Sequence, residues 1–325
     1  LKTIPFTLEN RNRTIMNIIA TAILLIITLF VIPVISFIFG TPLGAEETRA
    51  LHVLAWILLG AWMSCFLLGE LTDNVSQVDK VWSLLPIVYA WTVAHHGDYT
   101  PRLLLMAILV SAWGARLTYN FSRHGAYRLK FWSGHEDYRW QVLRDKPEFK
   151  PGWRWTLFNL GFISGYQNTL ILLMTLPTLV AMQFSGTPLG WLDYLATALA
   201  LFMLAYETIA DNQQWQYQSA KHARVKTGKP MAEAYAKGFL DRGLWAFSRH
   251  PNYFAEQGFW ISFYLFSVAA SGQWVNWSIA GSILLVILFR GSSNFSEEIS
   301  TGKYPAYRQY QQEVPRFIPS LKRRG

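Results

Sequence analysis

The amino-acid sequence predicts an all-α, polytopic membrane protein, and three observations carry that expectation. Of the 325 residues, 52% are hydrophobic and only 15% charged, a balance unusual for a soluble domain. Apolar windows that reach or approach the roughly 20 residues needed to cross a hydrocarbon core about 30 Å thick recur along the chain. No alternating pattern of about ten residues runs through those windows, which argues against a β-barrel and leaves helices to satisfy the backbone in lipid.

In chain order the windows are 15–39, 52–70, 81–96, 102–121, 157–182, 189–208, 255–271 and 274–290. They make about eight crossings. The third and the last two are short, so seven and nine are the neighbouring counts. The first window is longer than the apolar core of a signal peptide and lacks a small-residue cleavage pattern, so it reads as a retained span. The organisation expected is an N-terminal arm with this helix over 1–50, then one membrane domain over 51–325.

The net charge of +9 is distributed unevenly. Lys and Arg gather in the arm (Lys2, Arg11, Arg13), in 122–155, in 210–254 and in the tail after Arg290, whereas the loops at 40–51, 97–101, 184–188 and 272–273 hold almost none. With an even number of spans the basic segments share one side, the positive-inside pattern, which places both termini in the cytoplasm of a bacterial inner membrane or of the endoplasmic reticulum. Membrane lipid, and no nucleic acid, is the expected neighbour of such charge, and a headgroup-facing surface is its ordinary reading. Interleaved aromatic and carboxylate residues favour a phosphate-bearing ligand as well.

Two of the basic loops are long. The segment 122–155, "SRHGAYRLKFWSGHEDYRWQVLRDKPEFKPGWRW", is rich in Trp and Tyr and reads as an ordered amphipathic cap at the interface. The segment 210–254 continues the sixth helix outward, breaks at "KTGKP" and re-enters through "LWAFSRHPNY", with Pro251 at an early helical position.

The sequence holds no G-x-G-x-x-G after a strand, no Walker loop, no H-E-x-x-H and no C-x-x-C. Cys65 is the single cysteine, so neither a disulfide framework nor a Cys-based metal site is available. His95-His96 and "HED" at 135–137 lack ligand spacing with a third partner, so no metal is expected.

What remains is a set of polar residues at the ends of the last spans. Glu207 and Asp211 share a helical face at i, i+4, where two acids repel unless they meet donors. Arg249, His250, Asn252, Tyr253 and Glu256 follow within eight positions of one another in "SRHPNYFAEQGFW", Arg290 ends the last span, and Tyr304 and Arg308 lie in "YPAYR". Trp113, Arg116 and Tyr119 step by three residues within the fourth span. Ionisable groups at membrane depth are costly and usually face a cavity or a protein interior.

These stretches, "GLWAFSRHPNYFAEQGFW", "YETIADNQQWQY", "HEDYRW" and "YPAYRQYQQEVPRFIP", resemble the membrane-bound steroid 5α-reductase-like proteins, particularly a bacterial branch of undefined substrate. The resemblance spans roughly residues 70–320 and implies a seven-helix reductase core to which the first span is an addition. It implies an NADPH site open to the cytoplasm: Asn252 and Glu256 at the nicotinamide, with His250 and Tyr253 beside them; Asp211 at the adenosine or ribose region with Glu207 near it; Lys221, Arg224, Arg249, Arg290 and Arg308 at the phosphates, with Tyr304 in the same region. Guanidinium forks suit phosphates. The family's carboxylate and tyrosine that polarise the substrate carbonyl correspond to Asp79 and Trp113, accompanied by Arg116 and Tyr119. Trp113 departs from the family, because indole donates a hydrogen bond but cannot act as an acid. Glu207 departs too, since active family members often carry Asn there.

The implied function is NADPH-dependent reduction of a carbon–carbon double bond conjugated to a carbonyl, in a steroid-like or isoprenoid-like substrate, by a monomer. The alternative is an S-adenosylmethionine-dependent methyltransferase of the isoprenylcysteine or phospholipid type, which shares an "RHP-x-Y" element.

Overall fold

The computed structural model describes residues 40–321, apart from 128, 129, 131, 151 and 229–232, together with isolated positions between 27 and 38. The expected span at 15–39 therefore falls almost wholly outside the described residues. The helices are α1 (Ala45–Thr72), α2 (Gln77–Trp82), α3 (Leu85–His96), α4 (Pro101–Arg123), α5 (Tyr138–Arg144) and α6 (Gly152–Phe158). A π-helical stretch, Asn159–Tyr166, leads into α7 (Gln167–Thr175) and α8 (Pro177–Gln183). Then come α9 (Trp191–Thr227), α10 (Glu233–Ala236), α11 (Pro251–Ser271), α12 (Ile279–Lys303) and α13 (Tyr307–Glu313). No strand occurs among the described residues, so the all-α class holds.

Among the described residues four helices, α1, α4, α9 and α12, are long and apolar enough to cross a membrane; the eight crossings expected are not confirmed, and the first window lies almost wholly outside the described residues. The other windows depart from single long apolar helices for local reasons. The window at 81–96 is cut by a turn at Ser83 and Leu84, and the α3 that follows has 12 residues, about 18 Å at 1.5 Å per residue, short of the hydrocarbon core. The window at 157–182 passes through the π-helical stretch and breaks at Leu176, before Pro177. Helix α11 covers 255–271 in one continuous helix of 21 residues, packed inside the bundle with polar Glu256, Gln257 and Ser262 among its buried residues. The last window starts late, because Asn276 and Ser278 are hydrogen-bonded into a loop ahead of α12.

Helix α11 is the centre of the bundle. Phe259, Trp260, Phe263 and Phe266 are fully buried on it, and α9 runs along its length. Two glycines permit backbone contact between neighbours: a Cβ on Gly114 of α4 would lie 2.4 Å from the Ser83 carbonyl oxygen, and one on Gly281 of α12 would lie 2.3 Å from that of Leu173. Small residues at helix crossings serve membrane bundles in this way.

The two ends differ in what closes them. At one, Arg102 of α4 pairs with Asp193 of α9 at 2.7 Å and caps the carbonyls of Thr187 and Pro188. At the other gather the basic segments. The loop after α4 is fastened to the α1–α2 turn, where Glu136 accepts from the Val75 amide, Lys80 donates to the Ser133 carbonyl and Arg144 pairs with Asp73. Helix α9 has 37 residues, about 55 Å against a core of about 30 Å, so its last turns run well past the apolar layer to Gly228, whose left-handed conformation (φ 65°) ends it.

Candidate functional site

Where α4, α9 and α11 meet near the basic end, the polar residues singled out in the sequence converge. Arg116 of α4 projects between the other two helices, and its guanidinium meets Glu207 and Asp211 of α9 at 2.7 Å each. Their i, i+4 spacing lets one side chain serve both acids. Glu256 of α11 approaches the same guanidinium at 3.7 Å. It also accepts from Trp113 Nε1 at 2.9 Å and from Trp260 Nε1 at 3.2 Å. Asp211 accepts from Asn120 at 3.0 Å and from Asn252 at 3.2 Å. Asn252 lies one residue past Pro251, whose fixed φ suits the first turn of α11. This turn therefore faces α9 with an amide.

The side chains of Glu207 and Glu256 are each 5% exposed. Three polar atoms here lack a hydrogen-bond partner: Arg116 Nε, Arg116 Nη2, which meets Glu207 and Glu256 only as an ion pair, and Glu207 Oε2. Buried polar atoms are seldom left so. The indoles of Trp113 and Trp260 pack edge to face beside Glu256, 4.9 Å between centroids, and close the site on its apolar side.

A second cluster surrounds Glu297 of α12. Arg249 pairs with it at 2.7 Å, His250 Nε2 lies 2.9 Å away, Arg316 reaches it at 3.3 Å and Gln311 donates to it at 3.0 Å. The backbone completes the joint, with the Arg249 and His250 amides donating to the carbonyls of Pro315 and Arg316. Arg249 also caps the carbonyls of Gln311 and Val314. Burial pushes His250 below the ordinary histidine range, and the hydrogen bond it donates to Glu297 only partly opposes it. The His250 ring stacks on Tyr253 at 5.2 Å.

The remaining candidates are dispersed. Asp79 lies on α2, accepts from Trp140 of the interfacial loop at 3.2 Å and faces Asp137 and Arg139, not the Arg116 cluster. Arg139 in turn donates to Tyr253 and Ser292, joining that loop to α11 and α12. Burial works against the Asp137 carboxylate, but Arg139 beside it holds it below the usual range. Tyr119 is exposed, with the Arg123 guanidinium over its ring, so it does not share the inward face of Trp113 and Arg116. Lys221 donates to the Gly238 carbonyl and to Tyr304. Arg224 lies over the Tyr235 ring. Arg290 and Arg308 are exposed, and Arg308 lines an open cleft of about 460 Å³ with Glu298, Thr301 and Arg316.

Sequence reasoning missed Glu297, Trp260, Asn120 and Arg139. Trp260 could have been found, since it stands four residues after Glu256 on one helix face. Glu297 gives no such local sign, because its partners Arg249 and Arg316 lie 48 and 19 residues away.

Residues 65–314 match the family described as protein of unknown function DUF1295. An uncharacterised protein of Schizosaccharomyces pombe is 40% identical over 261 residues, covering 77% of this chain and 74% of the relative. No solved structure matches.

Proposed function

The chain belongs to the DUF1295 family, and from that premise we propose that it is a membrane-bound, NADPH-dependent reductase of a carbon–carbon double bond conjugated to a carbonyl in a lipid-soluble substrate. The observation that carries the reading is the convergence of Glu207, Asp211, Asn252 and Glu256 around Arg116, because those four positions lie in the stretches that resemble the steroid 5α-reductase-like proteins.

The donor set fits a dinucleotide. A carboxamide needs both an acceptor and a donor, as Glu256 and Asn252 supply; ribose hydroxyls suit carboxylates such as Asp211 and Glu207; and the unpartnered Arg116 Nε and Glu207 Oε2 are atoms a polar ligand would satisfy. Phosphates would be met by exposed Arg290 and Arg308, since Arg249 and His250 are already engaged with Glu297 and Lys221 with Tyr304. The cofactor, when bound, supplies hydride to the carbon β to the carbonyl. The chain orients it and keeps water from the apolar side through Trp113 and Trp260; Asp79, which accepts from Trp140 on the side away from the Arg116 cluster, is the proposed donor to the substrate oxygen in its protonated form. The site faces the cytoplasm if the basic end does.

The test is equilibrium binding to detergent-solubilised protein, NADPH against S-adenosylmethionine, followed by oxidation of NADPH in the presence of lipophilic enones. Binding of NADPH and enone-dependent oxidation support the reading. Binding of S-adenosylmethionine alone would replace it with the methyltransferase.

A further inference from the structure

We propose that the Arg116 cluster binds the oxidised cofactor by exchanging a proton for the positive charge of its nicotinamide ring, and binds the reduced, uncharged ring with that proton retained. The inference rests on the reductase reading above.

The starting point is a charge count. Three carboxyl groups, Glu207, Asp211 and Glu256, surround one guanidinium, Arg116. The other groups facing them are neutral: Trp113 and Asn120 from α4, Asn252 and Trp260 from α11. Arg123 stands behind Asn120 and is committed to Asn120 and Asn212. With side chains only 5–11% exposed, water cannot offset the surplus negative charge.

A second, independent observation lies within the cluster. Glu207 and Glu256 converge on the same nitrogen, Arg116 Nη2, at 2.7 and 3.7 Å, yet no donor reaches Glu207 Oε2. Two carboxyl groups so placed are stable when one proton is shared between them. A positive charge brought beside Glu256 removes the need for that proton. Trp113 and Trp260 turn their indole N–H edges to the same carboxylate, so Glu256 is held in place whichever charge stands beside it.

The exchange also balances the proposed reaction. The substrate receives hydride with its electron pair from NADPH and a proton from the cluster, giving the saturated ketone, NADP⁺ and an ionised carboxyl pair. Water restores the proton when NADP⁺ leaves.

The experiment compares NADP⁺ with NADPH by titration calorimetry on the solubilised protein, at fixed pH in buffers of different ionisation enthalpy. Ionisations of the adenosine phosphate are common to both nucleotides and cancel. NADP⁺ is expected to release about one more proton than NADPH, so its affinity relative to NADPH rises about tenfold per pH unit wherever the cluster holds its proton. Glu256→Gln and Glu207→Gln keep the shape of the pair, abolish the difference in proton release and lower the affinity for NADP⁺ relative to that for NADPH by about tenfold or more, whatever loss the two nucleotides share. Equal proton release for the two nucleotides, or a difference that persists in both variants, overturns the inference alone. If neither nucleotide binds, the reductase reading falls instead.

Discussion

The molecule contains two clusters of arginine and carboxylate, and they are built on opposite plans. Around Glu297 the cations are in excess, Arg249 and Arg316 to one acid, and each oxygen of that acid meets donors: Arg249 and His250 at one, Gln311 and Arg316 at the other. Around Arg116 the acids are in excess, three to one, and atoms are left without partners. The first arrangement is finished by the chain itself, which uses it to clamp the tail to the start of α11. The second is incomplete, and incompleteness at a buried polar site is what a ligand or a proton can relieve. Neighbouring residues in one motif are thus divided between the two: Arg249 and His250 hold the fold, while Asn252 and Glu256 face the site.

The sharpest way to break this contrast is to remove the central acid of the clamp. Glu297→Ala leaves Arg249 buried without its carboxylate, and loss of one partner of a buried pair costs about 3–5 kcal/mol. The expected result is a large fall in melting temperature in detergent, or failure to accumulate. A melting temperature equal to that of the unaltered protein would show that the tail is not fastened there.

At the other cluster the expected damage is to function. Asn252→Ala should lower NADPH-dependent turnover by about two orders of magnitude or more. Its fold should survive with a loss of about 1–3 kcal/mol at most, the cost of one buried hydrogen bond. Lowered stability with unchanged NADPH affinity would make Asn252 a helix joint only. Asp79→Asn asks the same of the substrate side, where NADPH should still bind while enone turnover falls by about two orders of magnitude. Turnover that persists would remove Asp79 from the reaction and leave it as the partner of Trp140.

How much of this was legible beforehand follows from range. The all-α class is a property of composition, visible everywhere in the chain. The convergence of Glu207, Asp211, Asn252 and Glu256 was legible because the acids sit at helical spacing and the rest follow a single proline. The breaks inside the apolar windows were not, because hydropathy windows are blind to the turn at Ser83 and Leu84 and to the break at Leu176. Tyr119 shows the same limit, since a three-residue step drifts around a helix and carries its ring outside while Arg116 points in. The clamp was invisible because Glu297 and Arg249 are brought together by tertiary folding alone.

A smaller test compares neutral replacements of the same kind. Asp211→Asn removes one negative charge from a cluster that has too many and keeps Asn120 and Asn252 within reach of an amide oxygen. Stability should change by no more than about 1 kcal/mol, in either direction. Glu297→Gln deletes the only acid among two arginines and a histidine, and should destabilise clearly more. Equal effects of the two replacements would erase the distinction between a finished and an unfinished cluster.

The mildest perturbation is pH, read through His250. Burial lowers its affinity for protons below that of an unfolded histidine, and the Arg249 and Arg316 cations add to this, while Glu297 opposes it without prevailing. The sign follows from linkage. As pH falls through the ordinary histidine range near 6.5, the unfolded chain takes up a proton before the folded one does. The stability contribution is therefore complete above that range and declines below it. The melting temperature should drop modestly between about pH 7 and pH 5, and the drop should shrink in His250→Gln, where no proton can be taken up at this position. Because Glu297 keeps Arg249, Arg316 and Gln311 in that variant, the clamp itself should persist at neutral pH. A pH profile unchanged by the substitution would mean that His250 titrates alike in both states, and that the clamp draws its strength from the arginines alone.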